Sequence, residues 1–287
     1  MSCSIVEIAP AKVNLFLEIT AKRADGFHEL DSLFVFASTH DEIAATPADH
    51  WELSVSGPFS CNLASEAPDN NLALKAAKKL AQHLGLDQAF TIQLTKNLPV
   101  AAGLGGGSAD AAAALRAICR LAKTEIPDQD LEKLALELGA DVPSCLSSSA
   151  QIVRGIGELR SKLPYFPTVH AVLVNPLVPL STAQVFKSWA PKFTKNQVCP
   201  TTGDINSWID FVQNRTNCLQ STAIQLCPAI AEVLEQLAQN ADCFLARMSG
   251  SGPSCFGLYP TAEAADAAAT HLSEARPGWW AQAVELG

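Results

Sequence analysis

A glycine-rich turn that runs directly into an alanine-rich stretch is the feature that most restricts how this chain can fold. Within residues 96–123, Ser108 is predicted to start a helix that continues to Lys123 without glycine or proline. Leu115 and Ile118 recur on this stretch at helical spacing and give it one apolar face. The chain is therefore expected to place the turn at the start of a helix that packs into the interior.

The glycines before this helix are suited to an anion site. They are Gly103, Gly105, Gly106 and Gly107. Main chain of this kind can adopt positive φ and allows a ligand to approach closely. A helix N-terminus presents unpaired N–H groups and the positive end of the helix dipole, and phosphate is the simplest anion to bind there. Close packing of the turn would explain the same glycines, so both interpretations remain open at this point.

Two familiar phosphate-binding turns do not fit. The Walker pattern requires lysine and then serine or threonine at the helix start, whereas residues 107–109 are Gly-Ser-Ala. A dinucleotide-binding turn would have glycine in place of Ser108 and a strand ending in an acidic residue about 20 residues later. Residues 124–130 do not have a strand pattern. A functional turn here would belong to a third kind.

Composition limits the class of protein and its partners. Of the 287 residues, 48% are hydrophobic and 17% are charged, which is typical of a globular chain long enough for two domains. The net charge of −9, without a lysine or arginine run, argues against nucleic-acid binding. Nine scattered cysteines without a Cys-x-x-Cys spacing favour reduced thiols. Since no signal peptide or membrane-spanning run is present, the sequence predicts a cytoplasmic protein that does not contact membranes.

The order of predicted elements indicates the α+β class. Apolar alternation and compact apolar runs predict strands at residues 5–19, 32–36, 42–46, 53–56, 90–95, 169–174 and 280–285. Helical spacing predicts helices at residues 72–84, 131–138, 208–219, 228–239 and 261–274. The polar stretch 190–207 is expected to be mobile. Because a proline-bearing region follows residue 163, we predict domains at 1–163 and 164–287.

Some polar residues have a structural as well as a functional explanation. Lys12 and Asn14 lie two apart on a predicted strand and share a face, for which a solvated surface would be sufficient reason. Asp141 precedes a predicted helical turn with Pro143 near its start, so it could serve only as an N-cap.

Three segments, taken in order, resemble the motifs of the GHMP kinase superfamily. They are Pro10-Ala11-Lys12-Val13-Asn14-Leu15, Leu98-Pro99 followed by Gly103-Leu104-Gly105-Gly106-Gly107-Ser108, and Ser249-Gly250-Ser251-Gly252. Three further segments are similar to those superfamily members that phosphorylate a cytidine-diphosphate-linked methylerythritol. They are Arg23-Ala24-Asp25-Gly26-Phe27-His28, Gly139-Ala140-Asp141-Val142-Pro143 and Gly155-Ile156-Gly157-Glu158.

The resemblance implies a two-domain GHMP kinase fold, with an N-terminal ribosomal-protein-S5-like domain that binds the ATP phosphates and a C-terminal ferredoxin-like α/β sandwich on the substrate side. It implies ATP-dependent phosphorylation of the 2-hydroxyl of the CDP-linked methylerythritol in non-mevalonate (MEP) isoprenoid synthesis, with ATP and Mg²⁺ as cofactors. The expected partners are these small molecules, with no nucleic acid and no membrane, and the expected assembly is a monomer or homodimer.

The resemblance also implies residue roles. Asp141 is expected to take the hydroxyl proton, while Lys12 keeps that carboxylate ionised and stabilises charge during transfer. The expected ATP-binding residues are Pro99, Gly103, Leu104, Gly105, Gly106, Gly107, Ser108 and Asn71. The expected substrate-binding residues are Asn14, Phe27, His28, Phe34, Thr182 and Phe186. Ser108 is the candidate magnesium ligand, and Asp110 is an acidic residue near the helix start.

Recognition of cytosine is expected to depend on aromatic residues. Phe27 and Phe186 resemble the positions that stack on the two faces of the base, while His28 contacts its edge. Position 27 is phenylalanine where relatives often have tyrosine, so any contact of that hydroxyl is lost. Ala101 and Ala102 replace the glycine or methionine that is common before the turn.

Two other functions are left open. Another small-molecule kinase of the superfamily would act on a mevalonate-like, homoserine-like or sugar alcohol, but those substrates have no base for Phe27 and Phe186 to stack on. A non-catalytic nucleotide-binding regulator would need only the glycine turn, whereas this chain also keeps Lys12 and Asp141.

Overall fold

The computed structural model describes residues 4–124, 126–196, 199–200 and 204–287. The strands are β1 Ile5–Lys22, β2 His28–Ala48, β3 Glu52–Ser56, β4 Ala89–Thr95, β5 Gln151–Gly155, β6 Leu159–Lys162, β7 Val169–Asn175, β8 Leu245–Met248, β9 Cys255–Tyr259 and β10 Trp280–Leu286. The α-helices are α1 Leu72–His83, α2 Gly106–Ala122, α3 Asp128–Leu138, α4 Val142–Ser147, α5 Thr182–Ser188, α6 Ile205–Gln213, α7 Gln220–Leu226, α8 Ala229–Gln239 and α9 Ala262–Ala275. The predicted α+β class is confirmed. Across these described ranges, no helix has the length and apolarity needed to cross a membrane.

The chain forms two compact units, each assembled from separate segments. Unit 1 comprises Met1–Ala11, Thr39–Val100 and Gly105–Ser148. Unit 2 comprises Lys12–Ser38, Ala101–Leu104 and Ser149–Gly287. The predicted boundary after residue 163 falls inside unit 2, and the division of function at that point stays a prediction.

Unit 1 combines a small sheet with helices α1 to α4. Strand β4 pairs in parallel with β3 and antiparallel with the second half of β2. Helix α1 packs against α2, whose buried side chains are mostly alanine, so the two helices can approach closely. Asn71 caps α1, since its Oδ1 accepts a hydrogen bond from Ala73 N at 3.0 Å.

Unit 2 is built on an antiparallel sheet in which β7 lies between β9 and β10. β8 pairs with β9 at one side, and β10 contacts the first half of β2 through the Leu286–Ala37 pair. β5 pairs with β2 and forms a hairpin with β6. The core contains Val172, Val174, Ile230, Val233 and Tyr259.

Three of the predicted elements are wrong in their extent. The strands predicted at 32–36 and 42–46 belong to the single strand β2. The helix predicted at 208–219 ends at Gln213, and another helix, α7, follows it.

A backbone interaction explains why the helix stops. Leu17 N donates to Thr216 O at 3.0 Å, and Cys218 N donates to Leu17 O at 2.8 Å. Residues between α6 and α7 therefore bond to β1 and cannot continue a helical ladder. α6 also begins at Ile205, inside the polar stretch 190–207 for which no helix was predicted. Residues 197, 198 and 201–203 of that stretch lie outside the described residues, and its mobility stays a prediction.

Candidate active site

The helix after the glycine turn begins two residues earlier than predicted. α2 starts at Gly106, and Ala109 N donates to Gly105 O at 2.9 Å, so the predicted start at Ser108 is wrong. Gly105 precedes the helix with a left-handed φ of 64°, which favours glycine. Gly106, Gly107 and Ser108 therefore form the first turn, in which N–H groups have no acceptor within the helix.

The space around Gly106 and Gly107 shows whether packing alone explains each glycine. A Cβ atom on Gly106 would lie 3.0 Å from Lys96 Nζ, so packing inside unit 1 accounts for this glycine. A Cβ atom on Gly107 would meet nothing within 4 Å in the described structure. Packing therefore does not explain Gly107, whereas close approach by a ligand would.

Three charged side chains form a buried cluster beneath Gly106, which we call the charge cluster. Lys96 Nζ lies 2.5 Å from Asp41 Oδ2 and 2.8 Å from Asp110 Oδ2. Asp41 Oδ1 also accepts hydrogen bonds from Asn97 N at 2.6 Å and from Leu98 N at 2.8 Å. These bonds fix the strand end before the glycine turn to the second turn of α2. The nearby Pro99 is buried as well.

Burial and the neighbouring charges shift the pKa values of Asp110 and Lys96. Burial raises the pKa of Asp110 to about 7, with Asp41 adding to the rise and Lys96 opposing it. Burial acts to lower the pKa of Lys96, but the carboxylates of Asp110 and Asp41 together raise it above its usual value. Among the described residues, Asp110 Oδ1 has no hydrogen-bond partner. Lys96 is therefore the cation that makes two buried carboxylates tolerable.

Asp141 lies between α3 and α4 on a fixed piece of backbone. Val142 N donates to Gly139 O at 3.1 Å, and Cys145 N donates to Asp141 O at 3.2 Å. Arg116 of α2 secures the other end of α4 by donating to Cys145 O at 3.0 Å. In the described structure the Asp141 side chain makes no capping bond to α4, so the N-cap role proposed for its carboxylate is not what the contacts show.

Lys12 and Asn14 lie on β1 within unit 2 and are buried, with 4% and 1% of their surface exposed. The solvated strand face that could have explained them is therefore wrong. Lys12 Nζ donates to Asn14 Oδ1 at 2.8 Å, and Asn14 Nδ2 donates to Ser32 Oγ at 2.9 Å. The Lys12 ammonium also lies 4.4 Å from the centre of the Phe34 ring. Phe34 thus contacts Lys12, and its predicted contact with substrate stays a prediction.

The first part of the glycine turn is bound to the Gly-Ser loop at residues 249–252. A Cβ atom on Gly103 would lie 2.7 Å from both Ser249 O and Gly252 O, so no other residue fits at its φ of 73°. Ser249 Oγ accepts from Asn14 N at 3.1 Å and donates to Gly103 O at 3.1 Å. Lys12 N donates to Leu104 O at 2.8 Å. The two motifs and β1 therefore form one hydrogen-bonded arrangement within unit 2.

An aromatic row lies elsewhere in unit 2. The centre of the His28 ring lies 5.6 Å from the centre of the Phe186 ring and 5.5 Å from that of the Trp189 ring. Burial, together with Lys22, lowers the pKa of His28, which favours the neutral imidazole. Phe27 is 58% exposed, so its ring is accessible for stacking.

Of the other predicted residues, Asn71 serves as the helix cap described above. Thr182 begins α5, and its Oγ1 lies 2.7 Å from Ser251 Oγ of the Gly-Ser loop. That hydrogen bond places Thr182 beside the third motif. A substrate contact by Thr182 stays a prediction.

Four residues at or beside these sites have no pattern in the sequence that indicates them: Asp41, Lys96, Ser32 and Trp189. The members of the charge cluster are separated by 55 and 14 positions along the chain, so no local pattern connects them. Lys96 directly follows the predicted strand 90–95 and lies two residues before Leu98 of the second motif, which was the available signal. Ser32 opens a predicted strand whose other residues, 33–36, are all apolar.

Known proteins resemble the chain over almost its full length. Family models described as "GHMP kinases N terminal domain" and "GHMP kinases C terminal" match residues 71–150 and 201–277. The 4-diphosphocytidyl-2-C-methyl-D-erythritol kinase of Paramagnetospirillum magneticum is 46% identical over 97% of both chains. The kinase of the same name from Rhodospirillum rubrum is 43% identical over 99% of this chain and 93% of its own.

A solved structure agrees with these relatives. The crystal structure of a 4-(cytidine 5'-diphospho)-2C-methyl-D-erythritol kinase superposes with a TM-score of 0.82 at 32% identity, covering 99% of both chains. The predicted GHMP kinase fold is confirmed by this match and by the two family models. The chain belongs to the 4-diphosphocytidyl-2-C-methyl-D-erythritol kinase family of the GHMP kinases.

Proposed function

We propose that this protein transfers the terminal phosphoryl group of ATP to the 2-hydroxyl of 4-diphosphocytidyl-2-C-methyl-D-erythritol, in non-mevalonate isoprenoid precursor synthesis. The observation that carries the proposal is the 46% identity, over 97% of the chain, to a relative of that name. The residues that the chemistry requires, Lys12 and Asp141, are both present.

The first turn of α2 is proposed to bind the ATP phosphates. Its N–H groups at Gly106, Gly107 and Ser108 are those that a helix leaves without internal acceptors, and the helix dipole favours an anion there. The open space beside Gly107 supports close approach of a phosphate. Pro99, Gly103, Leu104, Gly105 and Asn71 complete the proposed ATP-binding set.

Mg²⁺ would be held here by Ser108 together with the phosphates of bound ATP. The described residues contain no group of three or more histidine, cysteine or acidic side chains able to hold a metal. In kinases Mg²⁺ is bound by one or two side chains together with substrate phosphates. Ser108 would supply one oxygen, and the bound ion would neutralise phosphate charge.

Asp141 and Lys12 are proposed to carry the chemical step. The 2-hydroxyl loses its proton to the Asp141 carboxylate, its oxygen bonds to the terminal phosphorus, and the bond from that phosphorus to ADP breaks. The Lys12 ammonium stabilises negative charge on the transferred group. Asn14 holds Lys12 through the 2.8 Å hydrogen bond.

The substrate-side residues are proposed to be Asn14, Phe27, His28, Phe34, Thr182 and Phe186. A neutral His28 imidazole can both donate to and accept from the edge of a cytosine, because one ring nitrogen carries a proton and the other does not. We further propose that residues 1–163 bind the ATP phosphates and that residues 164–287 contribute Thr182 and Phe186 to the substrate side.

The reaction is expected to require the cytidine diphosphate group. In an assay that couples ADP formation to a colour change, the CDP-linked substrate should be turned over at least about a hundredfold more efficiently than methylerythritol or methylerythritol 4-phosphate, since loss of several buried contacts costs about 3 kcal/mol or more. Mevalonate and homoserine serve as control alcohols. Equal kcat/KM for an acceptor that lacks cytidine would show that the substrate assignment is wrong.

Gly107→Ala should separate ATP binding from stability. Alanine is the better helix former by about 1 kcal/mol, and its methyl group meets no atom of the described residues within 4 Å, so the variant should unfold at the same or a higher temperature. The methyl group should nevertheless raise the Kd for ATP about tenfold or more by blocking approach to the backbone. Thermal unfolding and ATP titration calorimetry measure the two effects. Unchanged ATP affinity would remove Gly107 from the binding site.

A further inference from the structure

We propose that Ser32 is a positioning residue for phosphoryl transfer, because it fixes the orientation of the Asn14 amide and thereby the Lys12 ammonium. The functional part of this inference rests on the proposed function, which assigns Lys12 to the chemical step. The hydrogen bonds on which it depends lie within unit 2.

The direction of each hydrogen bond follows from the chemistry of the groups. A lysine ammonium can only donate, so the Asn14 atom 2.8 Å from Lys12 Nζ must be the amide oxygen. The amide nitrogen then faces Ser32 Oγ at 2.9 Å. Ser32 has one hydroxyl proton, and that proton is donated to Phe16 O at 2.5 Å. Ser32 is therefore an acceptor toward Asn14, and only one orientation of the amide satisfies all three groups.

Little other freedom is left to Asn14. Its main-chain N–H is held by Ser249 Oγ at 3.1 Å, so the backbone at this position is fixed. Ser32 has none of its surface exposed and Asn14 only 1%, so bulk solvent does not reach the hydrogen bond between them. The 180° rotation of the side-chain amide is therefore the motion that Ser32 opposes.

Rotation of the amide would affect Lys12 directly. It would place the amide nitrogen, a donor, against the ammonium, which has only donors. The ammonium would then lose its acceptor at Asn14 while it stays next to the Phe34 ring, 4.4 Å from the ring centre. The donor that then faces the ammonium would repel it from the position in which it stabilises the transferred phosphoryl group.

Ser32→Ala removes the acceptor for the Asn14 amide without adding atoms. We expect kcat to fall about tenfold to a hundredfold, which corresponds to the loss of the hydrogen bond from the Lys12 ammonium to Asn14. The KM values for ATP and the CDP-linked substrate should change less than about threefold. Ser32→Thr retains the hydroxyl and should restore most of kcat. In an Asn14→Asp background both terminal atoms are oxygens, so Ser32→Ala should there lower kcat by less than about threefold.

Ser254→Ala is the matched control. Ser254 is equally buried, and its Oγ accepts from Asn175 Nδ2 at 2.8 Å, so the substitution removes the same kind of bond. It should lower stability to a similar extent as Ser32→Ala without changing the Lys12 side chain. Thermal unfolding measures whether the variants are folded and whether their stabilities are similar.

The environment of the Lys12 side chain can be followed by NMR, independently of enzyme activity. In protein labelled at lysine, the Lys12 side-chain resonance, assigned by its absence from Lys12→Arg, should shift in Ser32→Ala, return in Ser32→Thr and stay in place in Ser254→Ala. An unchanged resonance in Ser32→Ala, or the same shift in Ser254→Ala, would overturn the positioning role. If the unmodified protein does not phosphorylate the CDP-linked substrate, the proposed function fails, while this measurement still decides whether Ser32 orients Lys12.

Discussion

Asp141→Asn should lower kcat for phosphorylation of the CDP-linked substrate by about a hundredfold to ten-thousandfold, which is the usual contribution of a positioned general base. Asparagine has nearly the same shape as aspartate but cannot take a proton from the hydroxyl. The backbone at Asp141 is held by the bonds of Val142 and Cys145, so the change should not disturb α4. The Kd for ATP should stay within about twofold, because the proposed phosphate contacts belong to α2.

The matched control for this prediction is Asp130→Asn. Asp130 lies in the first turn of α3, is exposed, and experiences the same chemical change. Single-turnover phosphorylation and ATP titration should find it close to the unmodified protein. If Asp141→Asn retains its single-turnover rate, Asp141 is not the base, and the hydroxyl proton must leave by another route.

Sequence patterns predicted most elements because burial and periodicity were local. The apolar spacing of α1 and α9, for example, is complete within each helix, and both are found within two residues of their predicted ends. The failure at residues 208–219 has a different origin. The helical pattern there is interrupted by main-chain bonds to Leu17, and a partner almost 200 residues away leaves no local signature.

The candidate site shows the same contrast. The glycine turn and the Lys12 and Asn14 pair could be recognised because each forms a short motif. Their polar surroundings could not, since Ser32 acts on Asn14 from a different strand, and Asp41 acts on Lys96 from 55 positions away. A buried lysine or aspartate has no distinctive neighbours in sequence, so only its contacts in space show that it is paired.

Removal of the cation from the charge cluster should have the largest effect on stability. Lys96→Met leaves two buried carboxylates without their shared partner, and breaking a buried ion pair in this way typically costs about 3–5 kcal/mol in the free energy of unfolding. The control is Lys79→Met, since Lys79 pairs with Glu137 at 2.5 Å but both side chains are more than a third exposed. That variant should lose less than about 1 kcal/mol. Denaturant unfolding followed by circular dichroism measures both.

A second substitution identifies which carboxylate causes the loss. Asp41 keeps two main-chain donors when Lys96 is absent, whereas Asp110 Oδ1 has no hydrogen-bond partner among the described residues. Asp110→Asn in the Lys96→Met background should therefore recover about 1–2 kcal/mol, because it removes the charge that is left uncompensated. A further loss of stability in the double variant would contradict this account of the charge cluster.

The stability of Lys96→Met should also depend on pH in a predictable direction. Burial already raises the pKa of Asp110 to about 7, and an acid whose pKa is raised in the folded state loses stability as the pH rises through that value. Without Lys96 the folded-state pKa should rise further, so Lys96→Met should continue to lose stability above about pH 7, where the unmodified protein no longer does. In the double variant with Asp110→Asn this additional loss should disappear, since the amide does not ionise. A deficit that is independent of pH would mean that the cost of Lys96→Met comes from packing and not from the unpaired carboxylate.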